Sequence, residues 1–439
     1  MKKLTVIIVL ILAFALTATV LAADVRLTVE MSVYVEAPHK KAFDLLKEAY
    51  EAKNPNVEIV YYGAPYDAFW DKLTTEIVAG TEADIVQLQG GGTRYATYAS
   101  LRLGETGPFL NLDPYIKGTE LEDKLIGQKD LVYNDHYIGI SNYGVGMRAI
   151  YYRKSMFEEV GIDPDSIITN EDFLEAAKAL TKKKDDGTMQ YGFGAVISTH
   201  SFVFDEMKTF ICRPVGATYT PQNQPPYEAD NIIVGNDAWN FAFQWWQDMI
   251  FKDKVVAPGS YDKADERDLF WNGTVAMNID GPWFVGMTKE YSEELLDDLG
   301  VIASPDIVYN GKQYPFHKEI YGITHLVSSN CENPKEAVDF LLWMATPEAQ
   351  ALVAECGMIP ANVAYSTSDE YYAAWPANAK LAGLTEERYY FPAALDPNIP
   401  EAGEISRIMI DAAQAAFING DDVATTLDDA AEQIKDLFR

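Results

Sequence analysis

From Val25 to Leu88 the chain switches back and forth between two hydrophobic periods, and no other feature constrains its fold as tightly. Val25–Val35 reads as a strand, and Pro38 then opens a helix over His39–Lys53 whose Ala42, Leu45, Leu46 and Ala49 share one face. Asn54-Pro55-Asn56 is a turn, Val57–Tyr62 a second strand, Tyr66–Ala79 a helix closed by Gly80, and Asp84–Leu88 a third strand running into the Gly90-Gly91-Gly92 loop. Parallel strands cannot be joined by a two-residue hairpin, so each helix must cross a face of the sheet on its way to the next strand. The spacing predicts an α/β fold with a largely parallel sheet covered on both faces. With 439 residues the chain exceeds one ordinary core, and two or three domains are expected.

Further along, Tyr133–Tyr152 turns to β-branched and aromatic runs broken by glycines, which predicts a crossing between lobes. Met156–Gly161, Asn170–Leu180 and Ala238–Phe251 read as helices, the last with a core stripe of Trp239, Phe243 and Trp246. Thr218–Asp230, punctuated by Pro221, Pro225 and Pro226, reads as a surface loop. Pro334–Met344, Pro347–Ala354, Ala402–Phe417 and Val423–Phe438 complete the helices, the last two separated by a glycine that closes one and an aspartate that caps the other.

One later stretch, Asp268–Phe284, combines four signals: the Asn272-Gly273 turn, an apolar run over Thr274–Ile279, a break at Asp280-Gly281-Pro282, and Trp283 just beyond it. Phe270, Val275, Met277 and Ile279 read as buried support. Trp283 fits two roles, a core residue flanking the strand or a ring lining a pocket at the strand's carboxyl end, where open α/β sheets place their ligands.

The amino terminus reads as an export signal over residues 1–22. Lys2 and Lys3 form its charged start, Val6–Leu16 its apolar centre, and Val20-Leu21-Ala22 a small-residue exit. Leu4–Ala23 is also long enough to be retained as an anchor, and no cysteine stands at the expected cut. A formal charge of -31, without a Lys/Arg cluster, excludes nucleic acid as a partner. Three scattered cysteines, Cys212, Cys331 and Cys356, allow one disulfide and imply no framework.

Catalytic and metal motifs are missing. There is no H-E-x-x-H, G-x-S-x-G or phosphate-binding loop, and the five histidines are far apart in sequence. Gly144–Ala149 formally matches a dinucleotide fingerprint, but Ile150-Tyr151-Tyr152 continues as strand where a helix should open. Asp262, Asp265, Glu266 and Asp268 lack calcium-loop spacing and read as a solvated helix face. No cofactor is indicated, and a carboxyl pair for glycoside hydrolysis is not singled out.

Several stretches, in order, resemble the extracellular solute-binding proteins of ABC importers, the family that includes maltose-binding protein. Ala83–Gln87 is similar to its "PDVV" strand, Leu110–Ile116 to its "L-x-P-L-D" segment, and Ile150–Phe157 with Val160-Gly161-Ile162 to its "LYYNKDLFEKAGI" segment. Asp268–Phe284 resembles its "F-x-x-G-x-A-A-M-x-x-x-G-P-W" motif, and Asn333–Leu341, Thr346–Gln350 and Gly357–Ala361 resemble the later part. The chain departs at Asp163–Leu174, which lacks the family's double proline and tryptophan, and at Ser141, where a proline is usual.

The resemblance implies a two-lobed periplasmic-binding-protein fold, with residues 23–145 and 305–358 in one lobe and 146–304 and 359–439 in the other. Crossovers would fall near Val145–Arg148, Ala303–Pro305 and Gly357–Pro360, where Gly144, Gly146 and Gly357 allow hinge motion. It implies a monomeric, non-catalytic, exported receptor that closes on a mono- or oligosaccharide and hands it to an ABC permease. Trp283 stands where the family has a stacking tryptophan. Candidate ligand contacts beside it are Gln89 and Arg94 on the glycine loop, and Tyr34, Glu36 and His39 after the first strand. Asn142 and Tyr143 before a crossover, Asp280 at the strand exit, and Glu401 in a loop similar to one that closes the cleft in maltose-binding proteins complete the set. An exported carbohydrate-active enzyme, a receptor for a polyamine or peptide, and a chemoreception protein are the alternatives.

Overall fold

The computed structural model describes residues 23–88, 97–146, 148–315, 321–386, 399 and 401–439. Its first sheet runs in the order Val57–Tyr62, Val25–Glu30, Ile85–Leu88, Tyr321–Val327, Ile140–Gly146. The three amino-terminal strands are parallel, as the alternation requires, with Val25 opposite Val57 and Val29 opposite Ile85. Tyr321–Val327 inserts antiparallel to both of its neighbours, so the sheet is mixed. The helix Ala37–Lys53 and the later helices Pro334–Met344 and Pro347–Val353 cover one face, burying Phe43, Leu46, Phe340 and Leu341. Tyr66–Ala79 covers the other through Phe69, Leu73 and Ile77.

The first strand ends at Glu30 rather than continuing to Val35. A turn closed by the Glu36 amide donating to the Val33 carbonyl at 2.9 Å bends the chain out of the sheet. Backbone turn geometry outweighs the β-propensity of Val33 and Tyr34 here. The bend carries Val33 and Glu36 to the end of the sheet, where the helix begins.

A second sheet has the order Leu299–Ile302, Ala149–Arg153, Val275–Asp280, Met189–Phe193, Lys182–Lys183. Only Val275–Asp280 and Met189–Phe193 pair in parallel; the other three pairings are antiparallel, against the expectation of a largely parallel fold. Val275–Asp280 is buried at all six positions because both faces are covered. Asn170–Leu180, Asp237–Phe251 and the carboxyl-terminal helices Ala402–Gln414 and Val423–Asp436 lie on one side, and Lys263–Trp271 and Trp283–Tyr291 on the other. The Trp239, Phe243 and Trp246 stripe is core, as its spacing predicts. The proline-rich segment before it is only partly a surface loop, since Tyr219 and Thr220 are buried, Tyr219 against the Trp239 ring.

The chain passes between the two sheets after Gly146, and Val145 bridges to Ile359 through an amide-to-carbonyl bond of 2.8 Å, so two connections lie side by side. Gly357, at φ +82, lets the second connection turn, and a β-carbon there would sit 2.3 Å from the Gly286 nitrogen. The helix Trp283–Tyr291 thus packs backbone to backbone on the connection. The hairpin Ile307–Tyr314 does not join the first sheet, as a boundary at residue 305 would require. Ile307 is in the second sheet's core and Asp306 bridges to Thr169. Cys212, Cys331 and Cys356 are buried free thiols. Among the described residues, no helix is long and apolar enough to cross a membrane.

Candidate functional site

Between the two sheets lies a cavity of about 210 Å³ lined from both sides. From the first side come Val33, Glu36, His39, Tyr66, Tyr143 and Ile323. The opposite wall is Arg148, His200, Phe202, Trp283 and the start of the helix Lys263–Trp271, including Asp262, Lys263 and Arg267; Met358 contributes from the connection. The walls touch where Tyr66 meets Phe202 at a ring-centroid distance of 6.0 Å, and the Arg148 guanidinium lies 4.7 Å over the same Phe202 ring.

Trp283 is the first residue of its helix rather than an extended strand exit, because Pro282 sets helical backbone angles directly after the break. Its half-buried indole lies across Gly281, where a β-carbon would come within 2.3 Å of the ring. It also packs on the core of the first sheet. Trp283 therefore belongs to both readings of the sequence: one part of the ring is packed and another lines the cavity.

Beneath the tryptophan is a buried ionic network. Arg267 donates to both oxygens of Asp280, from Nε at 2.7 Å and from its terminal nitrogen at 3.3 Å. Lys263 uses all three of its protons, donating to Glu206 at 2.8 Å, Glu266 at 2.7 Å and the Ile279 carbonyl at 2.6 Å. Burial opposes the charge of Asp280, yet Arg267 and Lys263 together hold its carboxyl well below the usual range. Burial pushes Glu266 the other way, up to about 7. Glu266 is fully buried, which corrects the reading of these acids as a solvated face. Asp262 and Asp265 do remain outside, as the reciprocal cap of the helix.

On the facing wall, His39 is hydrogen-bonded to the Tyr143 hydroxyl through Nδ1, and its Nε2 lies 3.4 Å from Glu36. Burial, with Arg267 nearby, pushes His39 down to about 3, so the ring is neutral. Burial raises Glu36 to about 7, Arg267 opposing and Asp280 adding to the shift. A carboxyl raised in the fold stabilises it below its ordinary value near 4.5, and that contribution is lost as pH climbs through about 7. Glu36→Gln keeps the neutral form at every pH. Its melting temperature relative to the parent chain should therefore rise from pH 4.5 to above 7; a flat difference across that window would mean that the cavity does not desolvate the half-buried Glu36 carboxyl.

Of the sequence candidates, Trp283, Glu36, His39 and Tyr143 meet around the cavity. Asp280 does not line it; it sits one layer below, orienting Arg267. Asn142 is fully buried, with its amide nitrogen donating to the Leu341 carbonyl and its oxygen held by His325 at 2.8 Å. The Tyr34 hydroxyl donates to Asp44 at 2.7 Å, away from the lining. Glu401 precedes the helix Ala402–Gln414 and is likewise not among the lining residues. Gln89 and Arg94 lie outside the described residues.

Arg267, Lys263, Arg148, Tyr66, His200 and Phe202 were not legible as site residues. Arg267 and Lys263 are four apart on one helix, and a strand ending in a buried aspartate needs a cation; that pairing was the available signal. His39 and His200 meet at one cavity despite their separation in sequence, but no group of three or more metal-type ligands occurs among the described residues. An aromatic face surrounded by fixed donors and acceptors suits an uncharged polyhydroxylated solute, which offers C–H faces and a rim of hydroxyls.

Comparison with known proteins agrees with this geometry. The profile of the bacterial extracellular solute-binding protein family matches residues 36–351. A Brucella abortus (strain 2308) protein, named only as a binding protein, is 28% identical over 431 residues, covering 95% of this chain and 94% of its own. Among solved structures, maltose-bound MalE3 of T. maritima superposes with a TM-score of 0.77 at 18% identity, over 94% of this chain and 100% of that one. A solute-binding protein of Agrobacterium radiobacter K84 in complex with ribitol gives 0.78 at 18% identity, over 95% and 100%. At such identities these two structures establish the shared fold.

Proposed function

Because the chain belongs to the bacterial extracellular solute-binding protein family, we propose that it is an exported receptor that closes its two lobes on a sugar or polyol and presents the complex to an ABC permease. The observation that carries this reading is the cavity lined from both sides, with the Trp283 ring on one wall and Glu36, His39 and Tyr143 on the other. A solute touching both walls binds the closed arrangement better than an open one, and that difference drives closure. The maltose and ribitol held by the two structures above favour the carbohydrate class.

In this reading residues 1–22 are removed on export and the mature receptor acts as a monomer without turning its ligand over. The lobes divide near residue 145, after the hairpin ending at Tyr314, and near residue 358. A thermal-shift screen of the full mature chain against sugars, polyols, polyamines and peptides tests the assignment. A solute that binds only the folded state at a hundred times its Kd stabilises by about 2.7 kcal/mol. A melting temperature raised by a sugar or polyol is expected, with the sugar recovered intact. A shift produced only by another solute class would overturn the carbohydrate reading, and hydrolysis of the sugar would overturn the receptor.

A further inference from the structure

The outer edge of the second sheet carries a hollow of about 370 Å³ that shares no lining residue with the cavity between the sheets. Its origin lies in how that edge is closed. Leu299–Ile302 is the edge strand and pairs with Ala149–Arg153 on one side only, and the helix Pro376–Glu386 lies against it on the other. A neighbouring strand would sit about 4.8 Å away, whereas a helix with its side chains is about 10–12 Å across and cannot follow the pleat so closely. The space left over falls within the roughly 300–1,000 Å³ of ordinary small-molecule sites.

Most of the lining is apolar and fixed. Val285, Leu299, Val301 and Trp375 are buried core side chains, and the Lys289 ammonium lies 4.8 Å from the centre of the Trp375 ring. The Tyr152 ring lies across Gly300, its cross-strand partner, where a β-carbon would come within 2.2 Å of it. It also packs on Phe157 with centroids 4.6 Å apart. Tyr152 is only 6% exposed, yet among the described residues its hydroxyl has no hydrogen-bond partner. Burial, with Asp165 and Asp163 in reach, pushes this phenol above its ordinary value, so it stays protonated and can donate. Buried donors without an acceptor are rare and costly, and this one borders the hollow.

The rim supplies charge. Lys154 and Lys380 line the hollow, with Asp297 as the acid beside them. Lys154 donates to the Asp297 carbonyl at 3.0 Å, one bond for an ammonium that can make three. Lys380 pairs with Asp165 at 3.1 Å, and both partners are exposed, so the pair is weak enough for another carboxylate to compete. Two cations and a buried phenol at one end of an apolar hollow stand out on a chain of formal charge -31.

We propose that this hollow binds a small organic carboxylate with an apolar body, an arylacetate or a medium-chain fatty acid. The carboxylate accepts from the Tyr152 hydroxyl and faces Lys154 and Lys380, and the body lies against Val285, Val301 and the Trp375 ring. The site is distinct from the one assigned above to a sugar or polyol and does not depend on that assignment.

Calorimetric titration of the mature chain with phenylacetate and octanoate, and with benzylamine and octylamine as charge-reversed counterparts, tests the proposal. At least one carboxylate should bind with a Kd of about 1 mM or tighter, and its amine counterpart at least about tenfold more weakly. Phenylacetate alone would make the ligand an aryl acid, octanoate alone an alkyl one. Tyr152→Phe, which keeps the ring, should weaken the carboxylate by roughly fivefold or more, as should the pair Lys154→Gln and Lys380→Gln together. Ala374→Trp fills the hollow from the exposed end of the helix Asp369–Ala374 and should abolish binding, with the fold checked by circular dichroism. No binding of either carboxylate at about 10 mM, an amine that binds as tightly, or parent affinity in Tyr152→Phe or in Ala374→Trp overturns the site.

Discussion

Lys263→Met should lower the stability of the folded chain by about 3–5 kcal/mol at about pH 7.5, read as a shifted denaturation midpoint at unchanged slope. Methionine preserves most of the lysine stem, so the cavity it leaves is small and the effect isolates the charge. Lys263 is the cation to which Glu206 and Glu266 are directly bonded, and it lies 3.7 Å from Asp280. Without it these carboxylates share a dry site with Arg267 as the nearest cation. The deficit should shrink as pH falls toward about 5, because Glu266, already raised to about 7 by burial, takes up a proton instead of remaining an unpaired charge. A deficit below roughly 1 kcal/mol, or one equal at both pH values, would place the network among pairs too weakly coupled to hold the site.

Trp283→Ala should weaken binding of the sugar identified by thermal shift by about 2 kcal/mol or more, roughly 30-fold, as expected for a large aromatic at the centre of a desolvated site. Calorimetry reads the affinity directly. Trp283 also packs on the first sheet's core, so a modest loss of melting temperature accompanies the change. The two roles separate in Trp283→Phe, which keeps a ring over Gly281 and should recover most of the affinity. Equal affinity in the parent chain and the alanine variant would assign Trp283 to packing alone.

The contrast between Trp283 and Lys263 shows where legibility stopped. Trp283 stands out because a turn, a six-residue apolar strand and a proline break are all local, and each constrains the backbone within a few residues of the ring. His39, Glu36 and Tyr143 were reachable for a related reason: Glu36 and His39 sit where the first helix begins and Tyr143 stands just ahead of a crossover, and such places face the space between lobes. Asn142 and Tyr34 satisfy the same description, yet their polar atoms are held by Leu341, His325 and Asp44. Which polar group is left for a ligand depends on partners more than a hundred residues away in the case of Asn142, and no local pattern carries that information.

What the sequence determined by itself was the alternation that builds a two-sheet α/β chain, the strand that delivers Trp283, and the carboxyl-terminal helices. Each follows from hydrophobic period, turn chemistry and caps, which act over one or two helical turns. Only the tertiary structure decided that Tyr321–Val327 makes the first sheet mixed and that the Ile307–Tyr314 hairpin stays with the second. It alone made Glu266 a buried member of an ionic network and brought Glu36, His39, Tyr143 and Trp283 to one cavity. Strand pairing, desolvation and cavity shape arise from which elements meet, and that choice is made by the summed packing of the whole chain rather than by any segment of it.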